Sequence, residues 1–161
     1  FFNEHVIKSV AKLSRPSHSY IIRQTRSGVN IDSLYTVDEK MREAYFRELI
    51  VSDTTNFKLI DQRILDHWVD ESGYSFPSGH SFNAYLLGSI LAFSIYLDAK
   101  RRIRWLAVIP LMWAFLVALS RVAVGAHTAL DVSVGAGLGL FFAFTLLGIT
   151  ATRRLLIPKE I

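Results

Sequence analysis

Cysteine is absent from the 161-residue chain, which excludes disulfides and thiolate-held metal ions. Repeats and low-complexity tracts are absent too, so a repeat architecture is not expected. No methionine opens the chain, which begins at Phe1-Phe2, and no signal peptide is recognisable. A piece of a longer chain, cut inside an apolar segment, is therefore expected. Charged residues make up only 20% against 51% hydrophobic, and the mean hydropathy is +0.30, unlike an ordinary soluble protein. The sequence pI near 9.5 could suggest nucleic acid. However, the basic clusters Lys100, Arg101, Arg102, Arg104 and Arg153-Arg154 lie directly against apolar runs, without interleaved aromatics on a polar surface. That is the pattern of a membrane boundary, and it argues against nucleic acid as a partner.

Three apolar stretches, 81–97, 103–119 and 132–151, have lengths suited to transmembrane helices, the first two at the short end. The stub before Lys12 reads as the end of a further helix, since Val6, Ile7 and Val10 share a face. The expected class is all-α, an integral membrane helical bundle within a single domain covering 1–161. The basic clusters assign the 100–104 turn and the C-terminal end to the cytoplasm, so the segment before Ser81 and the turn 121–131 face the other side.

Residues 17–76 form a polar, mildly acidic segment, expected to be a helical extracytoplasmic cap. Thr36 to Glu39 fits a capping box opening a helix to about Ile50. Phe57, Ile60, Ile64 and Trp68 recur at helical spacing until Ser72-Gly73. The cap reads either as an amphipathic cover packed on the bundle or as a lid that gates the site.

Ionisable residues at membrane depth are costly and mark function. This topology gathers Lys8, Arg15, His80, Arg121, His127 and Asp131 on one membrane face. Lys8 and Arg15 stand two helical turns apart, and Pro16 biases Arg15 out of the helix. Together they could hold a phosphate as point charge and planar fork, or merely snorkel at the interface. Pro77-Ser78-Gly79-His80 precedes an apolar helix whose free N–H groups suit an anion, although such a turn is often a plain N-cap. Ser120-Arg121, then His127, then Asp131 is more specific. At i and i+4 on one helix face, Asp131 could fix the tautomer of His127 and leave its other nitrogen free to attack. The bland alternative is a satisfied interfacial His–Asp pair. Arg121 would supply a fixed cation for transition-state charge.

Taken together, the three blocks resemble the signature of the type-2 phosphatidic acid phosphatase superfamily. These are Lys8 to Arg15-Pro16, Pro77 to His80, and Ser120-Arg121 to His127 to Asp131. The stretch from Asp66-His67-Trp68 through Glu71-Ser72-Gly73-Tyr74-Ser75-Phe76 is similar, more narrowly, to the bacterial phosphatidylglycerophosphatase branch. The resemblance implies a six-helix membrane bundle, of which about the last four helices are present. It implies His127 as nucleophile, Asp131 as its orienter and His80 as general acid and then base. Lys8, Arg15, Ser78, Gly79 and Arg121 would hold the phosphate. It further implies metal-independent hydrolysis of a phospholipid or polyprenyl phosphate through a phosphohistidine, with no cofactor. The enzyme would lie in a bacterial inner membrane with its site facing the periplasm.

Ala84, Gly88 and Ala92, and Gly135 with Gly139, give small-residue stripes for close helix packing within the chain, or for a dimer. Three rivals differ in chemistry. A vanadium-dependent haloperoxidase would share the anion pocket, but such relatives are soluble. A lipid-binding protein or transporter would have no need of the His127–Asp131 pairing. The third is a metal site built from His80, His127 and Asp131.

Overall fold

In the computed structural model, residues 11–156 are described. Among them the regular elements are all helical, and they fall into two compact units. One unit comprises the part up to Pro77 together with Arg121–Ala129; the other comprises Ser78–Ser120 with the part from Leu130 onward.

The first unit holds α1 (Pro16–Thr25), α2 (Ile31–Leu34), α3 (Glu39–Ser52), α4 (Thr54–Phe57) and α5 (Gln62–Asp70). Short polar side chains start four of these helices by accepting otherwise unbonded N–H groups. Asn30 caps α2 through the Asp32 N–H (2.9 Å), and Asp38 caps α3 through that of Lys40 (3.1 Å). Asp53 and Asp61 cap α4 and α5 through Asn56 and Arg63. The expected capping box is therefore displaced by two residues. Thr36 donates its hydroxyl to the Ser33 carbonyl instead (2.7 Å), and Asp38, a better acceptor, starts the helix. The second expected piece is split, because Asp61 opens α5 after Phe57 and Ile60 have passed. Ile21, Leu34, Phe46, Ile50, Phe57, Leu65, Trp68 and Val69 make one apolar core under these helices. That burial is what makes helices this short persist, since isolated ones would melt.

The second unit is built from α6 (Gly79–Asp98), a 3₁₀ segment (Arg101–Ala107) running into α7 (Val108–Ala123), and α8 (Ala129–Leu156). The last turn of α7 and the first residue of α8 belong to the first unit. Here the burial pattern of a soluble protein is inverted. Ala84, Gly88, Ala92, Ala114, Ala118 and Ala143 are buried, whereas Trp105, Met112, Phe115, Leu116, Phe141 and Phe144 are half or more exposed. The glycines explain the close approach. A Cβ on Gly88 would lie 2.9 Å from the Pro110 carbonyl oxygen and 3.2 Å from the Ala114 Cβ. Gly135 and Gly139 sit equally tightly against the backbone of Ser78 and of Phe82 and Leu86. The small-residue stripes thus serve packing within this unit.

Among the described residues, two helical segments are long and apolar enough to cross a membrane, Arg101–Ala123 (23 residues) and Ala129–Ile149 (21 residues). The expected spans 103–119 and 132–151 fall largely within them. The expected span 81–97 lies inside α6, which has the length, but Asn83, Ser81, Ser89 and Ser94 lower its hydropathy and it is not among the two.

Candidate active site

Arg15 precedes α1 in an extended conformation (φ −74°, ψ 145°), as a residue before proline should. Pro16 then opens α1, where its missing N–H would be unpaired in any case. The Arg15 guanidinium is buried and tightly held. Its Nε donates to the Gly73 carbonyl (2.9 Å), and Nη1 donates to Glu71 Oε2 (2.6 Å) and the Ala126 carbonyl (3.2 Å). The same Nη1 lies 3.3 Å from His127 Nε2. Arginine has no acceptor, so Nε2 receives this contact with its lone pair, and a neutral ring then carries its proton on Nδ1.

A second arginine faces the same carboxylate. Arg121 Nη1 is 3.3 Å from His67 Nε2 and 3.8 Å from Glu71 Oε1. His67 Nε2 is 3.6 Å from that oxygen, beyond hydrogen-bond reach. Arg121 Nε is buried without a hydrogen-bond partner among the described residues. An orphaned donor on a permanent cation costs about 1–3 kcal/mol, and a bound anion would recover it. Beside it opens a recess of about 440 Å³ lined by Asp61, Arg63, Ile64, His67, Arg121 and Val124.

The turn carrying His127 is shaped by glycine. Gly125 adopts φ +77°, a left-handed conformation that ends α7. Its N–H bonds the Val122 carbonyl (2.9 Å), and the Ala126 N–H bonds that of Arg121 (3.1 Å). This pair of bonds is a Schellman motif, which turns the chain sharply after the last helical residue. The Trp68 indole N–H donates to the Val124 carbonyl (2.7 Å) and fixes the turn to α5. His127 consequently lies outside any helix. The expectation that His127 and Asp131 share one helix face fails, because Gly125 ends α7 and α8 begins only at Ala129.

Beneath Arg15 lies a buried polar chain. The Arg15 N–H donates to the Tyr35 hydroxyl (3.0 Å), which is 2.7 Å from His18 Nδ1, and His18 Nε2 is 2.9 Å from the Trp68 carbonyl. A carbonyl only accepts, so Nε2 carries the proton and Nδ1 accepts from Tyr35. Burial lowers the His18 pKa to about 4; the hydrogen bond to the Trp68 carbonyl opposes it, and the Arg15 and Arg42 charges add smaller lowering effects. Burial raises that of Tyr35. Arg42 lies over the Tyr35 ring, 4.6 Å from its centre.

In the second unit Ser78 is the N-cap of α6, its oxygen accepting from the Ser81 N–H (3.4 Å) and hydroxyl (3.2 Å). Its own proton is committed by neither bond. The Ser78 N–H donates to the backbone carbonyl of Asp131 (3.0 Å), and Asp131 is almost wholly buried in the first turn of α8. Gly79 is the first residue of α6 and His80, exposed, the second. Lys8 lies outside the described residues. Of the expected site residues, Arg15, Arg121 and His127 are therefore in the first unit, and Ser78, Gly79, His80 and Asp131 in the second. Glu71, His67, Tyr35 and His18 escaped the sequence reading as site-associated groups. The i, i+4 spacing of His67 and Glu71 was the available signal. Among the described residues no group of three His, Asp or Glu is arranged to hold a metal ion.

A family model described as the PAP2 superfamily matches residues 2–155. Phosphatidylglycerophosphatase B of Haemophilus influenzae is 29% identical over 129 residues, covering 79% of this chain and 51% of the relative. The protein of that name from Escherichia coli K12 is 30% identical over 123 residues (76% and 46%). That from Bacillus subtilis is 36% identical over 85 residues (50% and 41%). The chain spans about half the length of the curated relatives it matches.

Proposed function

The chain belongs to the PAP2 superfamily, and from that premise we propose that it removes a phosphoryl group from a lipid in the membrane, with His127 as the nucleophile. The observation that carries this reading is the direction of the His127 Nε2 lone pair. It points at the Arg15 guanidinium, with a second arginine in the same unit. A phosphoryl oxygen that took over the Arg15 Nη1 hydrogen bond would free this lone pair and bring phosphorus beside it. Such positioning by fixed cations is the main catalytic requirement of phosphoryl transfer.

In the first step His127 Nε2 bonds to phosphorus while the bond from phosphorus to the lipid oxygen breaks. His80 gives its proton to that leaving oxygen. In the second step His80 takes a proton from water, the hydroxide attacks phosphorus, and the P–N bond breaks to release inorganic phosphate and free His127. Arg15 and Arg121, with Lys8, Ser78 and the Gly79 N–H, hold the non-bridging oxygens, and Asp131 holds the His127 ring in its tautomer. These roles rest on the match of the three motif blocks to the family signature. Membership of a bilayer is supported by the outward-facing Phe, Trp and Leu side chains of the second unit, which need apolar surroundings. With α6, the apolar segments would make three spans of a six-helix family bundle, with residues 17–76 as the extracytoplasmic cap. The basic clusters and the bacterial relatives support placing the protein in a bacterial inner membrane with the site towards the periplasm.

The relatives' shared name favours phosphatidylglycerol phosphate as substrate; phosphatidic acid and undecaprenyl pyrophosphate offer the same terminal group. Phosphate release from a panel of these lipids by the purified chain in excess chelator tests the reading. Release that is abolished in His127→Ala is expected. Release unchanged in that variant would remove His127 from the chemistry.

A further inference from the structure

Glu71 has no part in the chemistry above, yet its carboxylate faces both Arg15 and Arg121. Oε2 is 2.6 Å from Arg15 Nη1, and Oε1 is 3.8 Å from Arg121 Nη1. A carboxylate and a phosphate present the same pair of acceptor oxygens to a guanidinium fork. We propose that Glu71 is an internal competitor for the substrate's phosphate group, occupying the arginine donors that the phosphate must take. The proposal rests on the reading of Arg15 and Arg121 as phosphate ligands.

Three observations favour competition over a role in placing Arg15. First, Arg15 is placed without Glu71, because Nε is bonded to the Gly73 carbonyl and Nη1 also to that of Ala126. Second, Glu71 Oε2 and His127 Nε2 both lie against the same Arg15 nitrogen, Nη1, so a phosphoryl oxygen arriving there meets the carboxylate directly. A phosphate dianion and a carboxylate cannot share one donor without strong like-charge repulsion. Third, Glu71 is partly exposed at the end of a helix. It follows the last residue of α5, and its side chain is 19% exposed, so rotation about its own side-chain bonds carries the carboxylate towards water. The contact would lower affinity for small anions, inorganic phosphate included, and favour ligands whose further binding energy can displace it.

Calorimetric titration of the full chain in detergent with inorganic phosphate, for wild type, Glu71→Gln and Glu71→Asp, tests this. Removing a charge-assisted competitor should tighten phosphate binding in Glu71→Gln on the order of tenfold, and inhibition of turnover by phosphate should strengthen with it. Glu71→Asp keeps the charge but withdraws it by one methylene, so it should also bind phosphate more tightly; it carries the test if the glutamine variant does not fold. Equal or weaker phosphate binding in the folded variants, against a wild type that binds, would overturn the proposal alone and make Glu71 an orienter of Arg15. A wild type that neither binds phosphate nor releases it from lipid phosphates would overturn the functional reading, and this proposal with it.

Discussion

Replacing His18 by glutamine would isolate one buried titration. The imidazole is completely buried, stacked on Phe46 with ring centres 4.2 Å apart, and both nitrogens are used by Tyr35 and the Trp68 carbonyl. A proton on Nδ1 would oppose the Tyr35 hydroxyl and add charge beside Arg15 and Arg42. The folded ring therefore stays neutral down to about pH 4, whereas the unfolded ring takes up its proton near 6.5. Above pH 6.5 neither state is protonated, and His18 adds no pH dependence. Between 6.5 and 4 only the unfolded chain binds the proton, so stability falls as pH falls. The loss is about 1.4 kcal/mol at about pH 5.5 and roughly 3 kcal/mol across the whole interval. Glutamine can donate to Trp68 and accept from Tyr35 but does not titrate. Thermal unfolding in detergent from pH 7 to 4.5 should show a steeper decline for wild type than for His18→Gln. Parallel curves for the two proteins would refute the buried neutral histidine.

Gly139→Ala places a Cβ inside the contact distance of the Phe82 carbonyl oxygen and 3.0 Å from the Leu86 nitrogen, both backbone atoms that cannot turn aside. It should cost about 1–3 kcal/mol of stability, measured by melting temperature. Gly137→Ala meets nothing within 4 Å and should be neutral or stabilising by up to about 1 kcal/mol from helix propensity. Trp68→Phe deletes the hydrogen bond to Val124 that fixes the Gly125 turn, leaving a carbonyl unpaired. A loss of about 1–2 kcal/mol is expected, with a fall in kcat from a looser His127. Arg15→Lys keeps the charge but cannot reproduce the fork to Gly73, Glu71 and Ala126. Steady-state kinetics should show kcat/KM reduced on the order of 100-fold.

The three motif blocks were readable because their information is local. A proline next to Arg15, a Pro-Ser-Gly turn before a helix and fixed spacings after Arg121 can all be seen along the chain. The Gly125 stop is equally local: a glycine free to adopt a left-handed turn ends α7, so the four-residue spacing of His127 and Asp131 is not that of one helix. Other features depend on contacts between distant positions. The Tyr35–His18 pair sits 17 residues apart, and Glu71 meets Arg15 across 56. No periodicity encodes such meetings; they arise because packing Ile21, Phe46 and Trp68 into one core brings their polar neighbours along. The small-residue stripes were legible for the opposite reason. Gly and Ala at four-residue spacing have little other use in apolar helices.

The central claim, nucleophilic attack by His127, makes a covalent species that can be caught. The chain is mixed with a lipid substrate bearing a radiolabelled terminal phosphate and quenched within a turnover in alkali, where a P–N bond survives better than in acid. Label is expected on the protein, located at His127 after proteolysis and absent from His127→Ala. Steady phosphate release by wild type with no label on His127 at any quench time would contradict it.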